Sequence, residues 1–505
     1  MTAGDGTTGT GATGAGAIGA GAIGAGTTWT AQLAEAWSGS GASRPAVSSG
    51  TVRWSGADLL RYAAGAADWL DSLAVGVGTP LPALVSTTLE ALALTIAGAA
   101  TRRPLAPIST RLTIRELASC LAGLAGDLLL AEPAVEDLGR EVAAATGRRL
   151  VVHPPAAASD RPLSDRPAAE RPGPEQTALI LHTSGTSGVP KPVFVAQGKL
   201  AVRVRVNAAI VHLAPGSVYA SGSPYHHIAG LGMIAVALGA GATVVCSPPF
   251  SPRTWRELAD HGTTHALLVP TMIDRLLAEN ALALPTLRVL QYGASPIHPD
   301  TLREAMAVLP DVDFVQIFGQ TEGSPITCLS FEDHRLAATT RPELLRTVGR
   351  AAQGVELRVV DPAPDGSGEI RARGEHLFRP AADGWLHTGD LGRIDPNGYV
   401  TLLGRRGDRI VRGGENVDPL EVEQVLSLHP AIREVAVVGR ADRRWGQVVK
   451  AFIVLVDPHD PPDVEELRLF ARESLSGFKV PAEWEMIDTL PRGAAGKVLR
   501  RVLES

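Results

Sequence analysis

The residues Thr183-Ser184-Gly185-Thr186-Ser187-Gly188-Val189-Pro190-Lys191 form a run of hydroxyls and glycines that ends in a lysine. Glycines let a backbone turn tightly and bring its N–H groups close to a ligand, and hydroxyl side chains add further donors. A lysine contributes a point charge suited to phosphate oxygens. Such a loop calls for a polyphosphate; the competing reading is a Gly/Ser surface turn. The spacing is not GxxxxGK[ST], which disfavours the P-loop nucleotidases. Only five lysines stand among the 47 basic residues, so arginine abundance reflects composition, whereas each lysine is worth weighing.

The loop needs regular structure to hold it. The apolar Ala178-Leu179-Ile180-Leu181 before it predicts a strand. Helices are predicted over Asp58 to Leu73 and Ile114 to Leu130, and strands at Leu150–Val152, Ala266–Val269, Leu287–Leu290 and Phe314–Ile317. The stretch from His153 to Gln176, crowded with Pro, Ala, Asp and Arg, reads as an exposed loop. Alternating strands and helices predict an α/β fold. The expected organisation is a large multi-layer N-terminal domain over 29–403, with β-sheets flanked by helices, and a small mobile α+β C-terminal domain over 404–505. Residues 1–28 read as a disordered low-complexity leader: Gly-Ala-Gly-Ala-Ile occurs at 14–18 and again at 19–23. A secretory signal would need a basic start and a dense apolar centre, so a cytoplasmic location is expected. A net charge of −6 and the lack of a basic stripe argue against nucleic acid. Cys120, Cys246 and Cys328 are scattered and predict neither disulfides nor a metal site. No apolar run is long enough to span a membrane. A monomer or homodimer is expected.

Further segments follow the loop in order: Gly293-Ala294-Ser295-Pro296-Ile297, Phe318-Gly319-Gln320-Thr321-Glu322, Gly384-Trp385-Leu386-His387-Thr388-Gly389-Asp390, Gly404-Arg405-Arg406-Gly407-Asp408-Arg409-Ile410, Gly413-Gly414-Glu415-Asn416-Val417 and Pro491 to Arg500. With the loop, this series resembles the motifs of the acyl-adenylate-forming enzymes: acyl- and aryl-CoA synthetases, luciferases and peptide-synthetase adenylation domains. The resemblance runs from about Trp29 to the C-terminus. It implies ATP and Mg²⁺ as cofactors. Thr183, Ser184, Gly185, Thr186, Ser187, Gly188 and Lys191 would cradle phosphates, and Gly293, Ala294 and Ser295 would lie beside adenine. Phe318 would stack on the base, next to Gly319 and Gln320, while Thr321 would reach the α-phosphate. Glu322 with Thr183 would hold the metal, an oxygen-preferring cation. Asp390 would accept the ribose hydroxyls on a fixed turn, with Arg405 as the second ribose contact. Asp408 would be the hinge, and Lys497 would neutralise charge as pyrophosphate leaves. Two departures stand out: Gly407 where lysine is usual, and Pro192 where glycine is usual.

The acid and its acceptor are less specified. Pro224-Tyr225-His226-His227-Ile228-Ala229-Gly230-Leu231 carries no carboxylate to pair with an amino acid's ammonium. It resembles the acyl- and aryl-CoA synthetases, where the histidine matching His227 gates the carboxylate and thiol tunnels. His226, His227, Gly232, Gly413 and Gly414 are thus implied along the substrate and thiol channel. The apolar stretch from Met233 to Leu238 favours a fatty or aryl acid. Coenzyme A is the expected thiol; the phosphopantetheine of a stand-alone acyl carrier protein is the alternative. Two further readings stay open: a ligase-like diazotase that adenylates nitrite, and a non-catalytic binding module.

Overall fold

The computed structural model describes residues 26–167, 170–183, 191–378, 381–413, 415–493 and 498–504. Most of the expected leader, residues 184–190 of the phosphate loop, Gly414 and Lys497 lie outside the described residues.

Apolar runs of β-branched and leucine residues become strands wherever helices can cover both faces. Among the described residues the largest sheet has nine strands. It runs, edge to edge, Arg350–Ala351, Gly323–Leu329, Asp313–Gln320, Val289–Gly293, His265–Leu268, Val218–Ser221, Thr243–Val245, Pro45–Ser49 and Val52–Ser55. Its interior pairs are parallel and its edges antiparallel. A six-stranded sheet follows the order Arg149–Val152, Leu128–Ala131, Leu81–Leu84, Leu105–Ile108, Thr177–Thr183, Lys191–Ala196. One apolar cluster joins these two sheets, from Trp29 through Leu179 to Val315. A four-stranded antiparallel sheet ends at Val400–Arg405, and the last sheet opens at Ile410–Arg412 around its own core of Val422, Val449 and Leu467. The α/β architecture expected from the sequence is the one observed.

One expected element divides. The helix predicted over 114–130 stops at Ala122, and Leu128–Ala131 is a buried strand. Gly123 closes the helix and Gly126, at φ +94°, turns the chain in the left-handed region, a conformation natural to glycine. The helix keeps its start, where Thr113 and Glu116 form a reciprocal cap.

Two tryptophans fix helix Met233–Gly239. Helix Trp29–Trp37 places the indole Nε1 of Trp29 3.0 Å from the Ala235 carbonyl and that of Trp37 2.8 Å from the Leu238 carbonyl. Both rings are fully buried, so each donor needs such an acceptor. They anchor helix Met233–Gly239 against the first helix of the described chain.

Candidate active site

Four of the sequence segments meet where strands of the large sheet end. Strand Val289–Gly293 pairs in parallel with Asp313–Gln320, with Gly293 opposite Ile317. A Cβ on Gly293 would lie 2.4 Å from the Ile317 carbonyl oxygen, so only glycine allows this approach. Ala294, next in the chain, sits at φ +71°, a strained conformation for a residue with a side chain. It is exposed and Ser295 is half-buried. The adjacent strand carries half-buried Phe318 and then Gly319, where a Cβ would meet Ser324 at 2.7 Å.

Thr321 and Glu322 form the turn between antiparallel strands Asp313–Gln320 and Gly323–Leu329. The Glu322 carbonyl accepts from the Phe378 amide at 2.6 Å. Among the described residues no hydrogen bond or ion pair engages its half-buried carboxylate. A carboxylate left in that state suits a hard cation that draws its remaining oxygens from water and phosphate. No group of three or more His, Cys, Asp or Glu able to hold a metal by protein ligands alone occurs among the described residues.

Asp390 lies within strand Leu386–Ile394 rather than on a free turn; Gly389, at φ +69°, supplies the local kink. Its carboxylate is 6 % exposed and already shared. The Gln320 amide donates to Oδ2 at 2.8 Å, and Arg405 Nε lies 2.7 Å from Oδ1. Gln320 and Arg405 both also donate to the Thr388 carbonyl. A single carboxylate thereby ties together three segments far apart in sequence.

The two strands on either side of residues 184–190 pair with each other. Thr183 and Lys191 are register partners in an antiparallel pair, and Thr183 Oγ1 lies 3.5 Å from the Lys191 carbonyl. Lys191 is exposed. Three other lysines are engaged: Lys199 donates to the Glu375 carbonyl at 2.6 Å, and Lys450 and Lys479 each pair at 2.7 Å, with Glu485 and Glu421.

The histidine pair expected along the substrate channel stands at the start of a short helical run. His227 begins a π-helical turn, Ile228–Gly232, that runs into helix Met233–Gly239. The rings of His226 and His227 are 4.1 Å apart. Burial pushes the His226 pKa down to about 3, helped by His227, Arg111 and His182, so its ring is neutral at ordinary pH. His182 precedes Thr183 at the end of strand Thr177–Thr183 and is an electrostatic neighbour of His226. It was not singled out from the sequence; a histidine ending an otherwise apolar strand was the available signal.

The C-terminal segments are split. Arg405, Arg406, Gly407 and Asp408 form a turn in which the Asp408 amide donates to the Arg405 carbonyl at 3.0 Å. Gly407 faces open space. Gly413, at φ +60°, packs under Trp445: a Cβ there would meet the indole at 2.7 Å. Arg492 and Val498 form an antiparallel bridge on either side of residues 494–497. Arg492 pairs with Glu434 at 2.8 Å. Both charges act on Asp274 of the large domain, an exposed residue of helix Pro270–Ala278 whose pKa is raised by desolvation from the groups packed around it. The chain flanking Lys497 therefore stands near helices Pro270–Ala278 and Pro299–Val308, the second of which follows the Gly293–Ile297 turn. Among the described residues no helix is long and apolar enough to cross a membrane.

Comparison with known proteins follows this geometry. The family model described as AMP-binding enzyme matches residues 33–380, and that of the AMP-binding enzyme C-terminal domain matches 421–497. A fatty acid–acyl-carrier-protein ligase of Streptomyces coeruleorubidus is 34% identical over 426 residues, 79% of this chain and 81% of that protein. An indoleacetate–CoA ligase of Aromatoleum aromaticum is 34% identical over 351 residues, 64% of this chain and 66% of that protein. Among solved structures, an amide bond synthetase of Marinactinospora thermotolerans superposes with a TM-score of 0.84 at 26% identity, covering 94% of this chain and 99% of that one.

Proposed function

We propose that this chain, which belongs to the AMP-binding enzyme family, activates a fatty or aryl carboxylic acid as its acyl-adenylate and passes the acyl group to the thiol of coenzyme A. At the level of the family it is an AMP-forming acid ligase that uses ATP. What supports the nucleotide half of this reading is the Gln320–Asp390–Arg405 junction near the Gly293–Ala294 turn, a buried carboxylate suited to accept ribose hydroxyls, and what supports an apolar acid is the buried Met233–Leu238 stretch.

In this reading Asp390 and Arg405 hold the ribose, while Ala294 and Phe318 bracket adenine. The loop ending in Lys191 cradles the phosphates. Thr183 and Glu322 would hold Mg²⁺, which would supply charge neutralisation on the phosphate oxygens. A carboxylate oxygen of the acid attacks the α-phosphorus, the bond to the β-phosphate breaks, and pyrophosphate leaves. Lys497 offsets the charge that develops at that step. The small domain, turning about Asp408, then presents Gly413 and Gly414 to the thiol channel. There the thiolate attacks the acyl carbonyl and AMP departs. A neutral His226 puts no charge at the channel mouth.

Transfer to a separate carrier protein is the second reading, favoured by the ligase of that kind that matches 79% of this chain. A hydroxamate screen across fatty, cinnamic and benzoic acids reads activation before any acceptor is chosen. Thioester formation with coenzyme A and with a carrier protein then separates the two acceptors, and a nitrite arm tests the diazotase alternative. Absence of ATP–pyrophosphate exchange with every acid would overturn the reading.

A further inference from the structure

The helix that follows the phosphate hairpin, Gln197–Ile210, carries a buried cation with nothing to neutralise it. Arg203 is 1% exposed, and its Nε and Nη1 have no hydrogen-bond partner. No carboxylate pairs with it among the described residues. Burying an unpaired charge is strongly unfavourable, and folded chains ordinarily supply a partner. This chain does so elsewhere: Arg166, equally hidden, sits 2.8 Å from Asp71 and 3.3 Å from Asp68. Burial lowers the Arg203 pKa to about 10, which leaves the guanidinium charged at neutral pH. One turn further along the helix, the buried Oδ1 of Asn207 is also without a partner.

The position of this cation is informative. A Cβ on Gly232 would lie 3.4 Å from Arg203 Nη1, so the guanidinium abuts the turn that begins at His227. Ser221 holds the same turn through the Ala229 carbonyl at 3.0 Å, and Tyr219, on the same face of that strand, is an electrostatic neighbour of Arg203. On the other side the charge of Arg203 reaches His376, whose Nε2 lies 2.7 Å from the Pro325 carbonyl. Arg203 therefore stands between the Ile228–Gly232 turn and the strand that starts after Glu322.

We propose that Arg203 anchors a substrate subsite, and that the acid activated here carries a second anionic group, a carboxylate or a sulfonate, on the end of its apolar body remote from the reacting carboxylate. The subsite rests on the acid-activating reading above, because the Ile228–Gly232 turn that abuts Arg203 is the one assigned to the acid. The apolar Met233–Leu238 stretch covers the body of the substrate, and the guanidinium offers a planar pair of donors to the distal anion. A side chain at Gly232 would press on the flexible end of Ile228 at 2.7 Å and crowd Nη1 at 3.4 Å, so glycine keeps the guanidinium's approach to the turn open.

The test compares a monocarboxylic acid with dicarboxylic and sulfo-carboxylic acids of equal length, in wild type and in Arg203→Met. Pyrophosphate exchange measures activation, and melting temperature with each acid alone measures binding. Wild type should favour the doubly anionic acids by about a hundred-fold in kcat/KM. Arg203→Met should lose that preference while still activating the monocarboxylic acid, and should melt no lower than wild type, because it removes an unpaired charge rather than an ion pair. The carboxylate and sulfonate arms identify the distal group. Equal or better use of the monocarboxylic acid by wild type overturns the proposal without recourse to any variant. If no acid supports exchange, yet doubly anionic acids raise the melting temperature of wild type and not of Arg203→Met, the subsite stands and the activation reading fails. Should Arg203→Met not fold, Arg203→Lys serves: it keeps the charge and must keep the preference.

Discussion

Replacing Asp390 with Asn separates the architectural work of this carboxylate from its work on nucleotide. The side chain keeps its volume and one acceptor oxygen, so one of the two contacts, to Gln320 at 2.8 Å or to Arg405 at 2.7 Å, must be lost. A hydrogen bond to a charged group contributes ~1.5–3 kcal/mol. Arg405 is 42% exposed, which places its share at the low end. A net loss of about 1–2 kcal/mol follows, a fall in melting temperature of a few degrees. The ribose loses an ionised acceptor as well, so the dissociation constants of ATP and AMP should rise about ten- to a hundred-fold. Both half-reactions should weaken together, since ATP and adenylate share the ribose. Calorimetric titration with each nucleotide, beside thermal melts, reads both effects. Gln320→Ala is the control: it breaks the internal contact but leaves the carboxylate, so it should reproduce the melting shift with a smaller loss of affinity. An Asn variant that melts lower yet binds ATP like wild type would refute the ribose assignment and leave Asp390 as a structural junction only.

Lys497→Ala should depress adenylation by several orders of magnitude while sparing thioester formation from a presynthesised acyl-adenylate, because the contact acts as pyrophosphate leaves. Equal loss of both steps in single-turnover assays would show that the small domain does not alternate. Gly293→Ala should destabilise by about 3 kcal/mol, since its Cβ would press on a backbone oxygen at 2.4 Å that no rotamer change can move; an unchanged denaturation midpoint would contradict the geometry. His226, held neutral with a folded pKa of about 3 against about 6.5 unfolded, favours the folded state fully above pH 6.5 and progressively less as pH falls toward 3. Its share amounts to ~1–2 kcal/mol by pH 5, so His226→Asn should flatten the melting profile between pH 7 and 5. Parallel profiles for the two proteins would count against a buried neutral ring.

Local chemistry made single-residue backbone requirements legible: Gly293 and Gly319 stand at close approaches that leave no room for a Cβ, and Gly389 takes the left-handed backbone before Asp390. Strand positions at Leu150–Val152 and Phe314–Ile317 were readable for the same reason, as short apolar runs between polar breaks. Long-range partnerships were not. Nothing in the spacing of Gln320 and Asp390 announces that one donates to the other, and Arg203 reads as a surface residue of a helix in an arginine-rich chain. The split at 122–128 escaped because an apolar strand beginning after only five intervening residues reads on from the helix as one apolar run, and the backbone angle at Gly126 breaks it. The division at 403–404 and the hinge at Asp408 remain proposals resting on motif order.

The scarcity of lysine has a practical side. With Lys199, Lys450 and Lys479 tied to acceptors on the protein, amine-directed reagents meet few competing side-chain targets in this chain. Lys191, exposed at the mouth of the hairpin, becomes a nearly private handle for covalent labelling. An ATP-shaped electrophile directed there, with peptide mapping as the readout, would footprint nucleotide occupancy in a crude extract without purification or an assigned substrate.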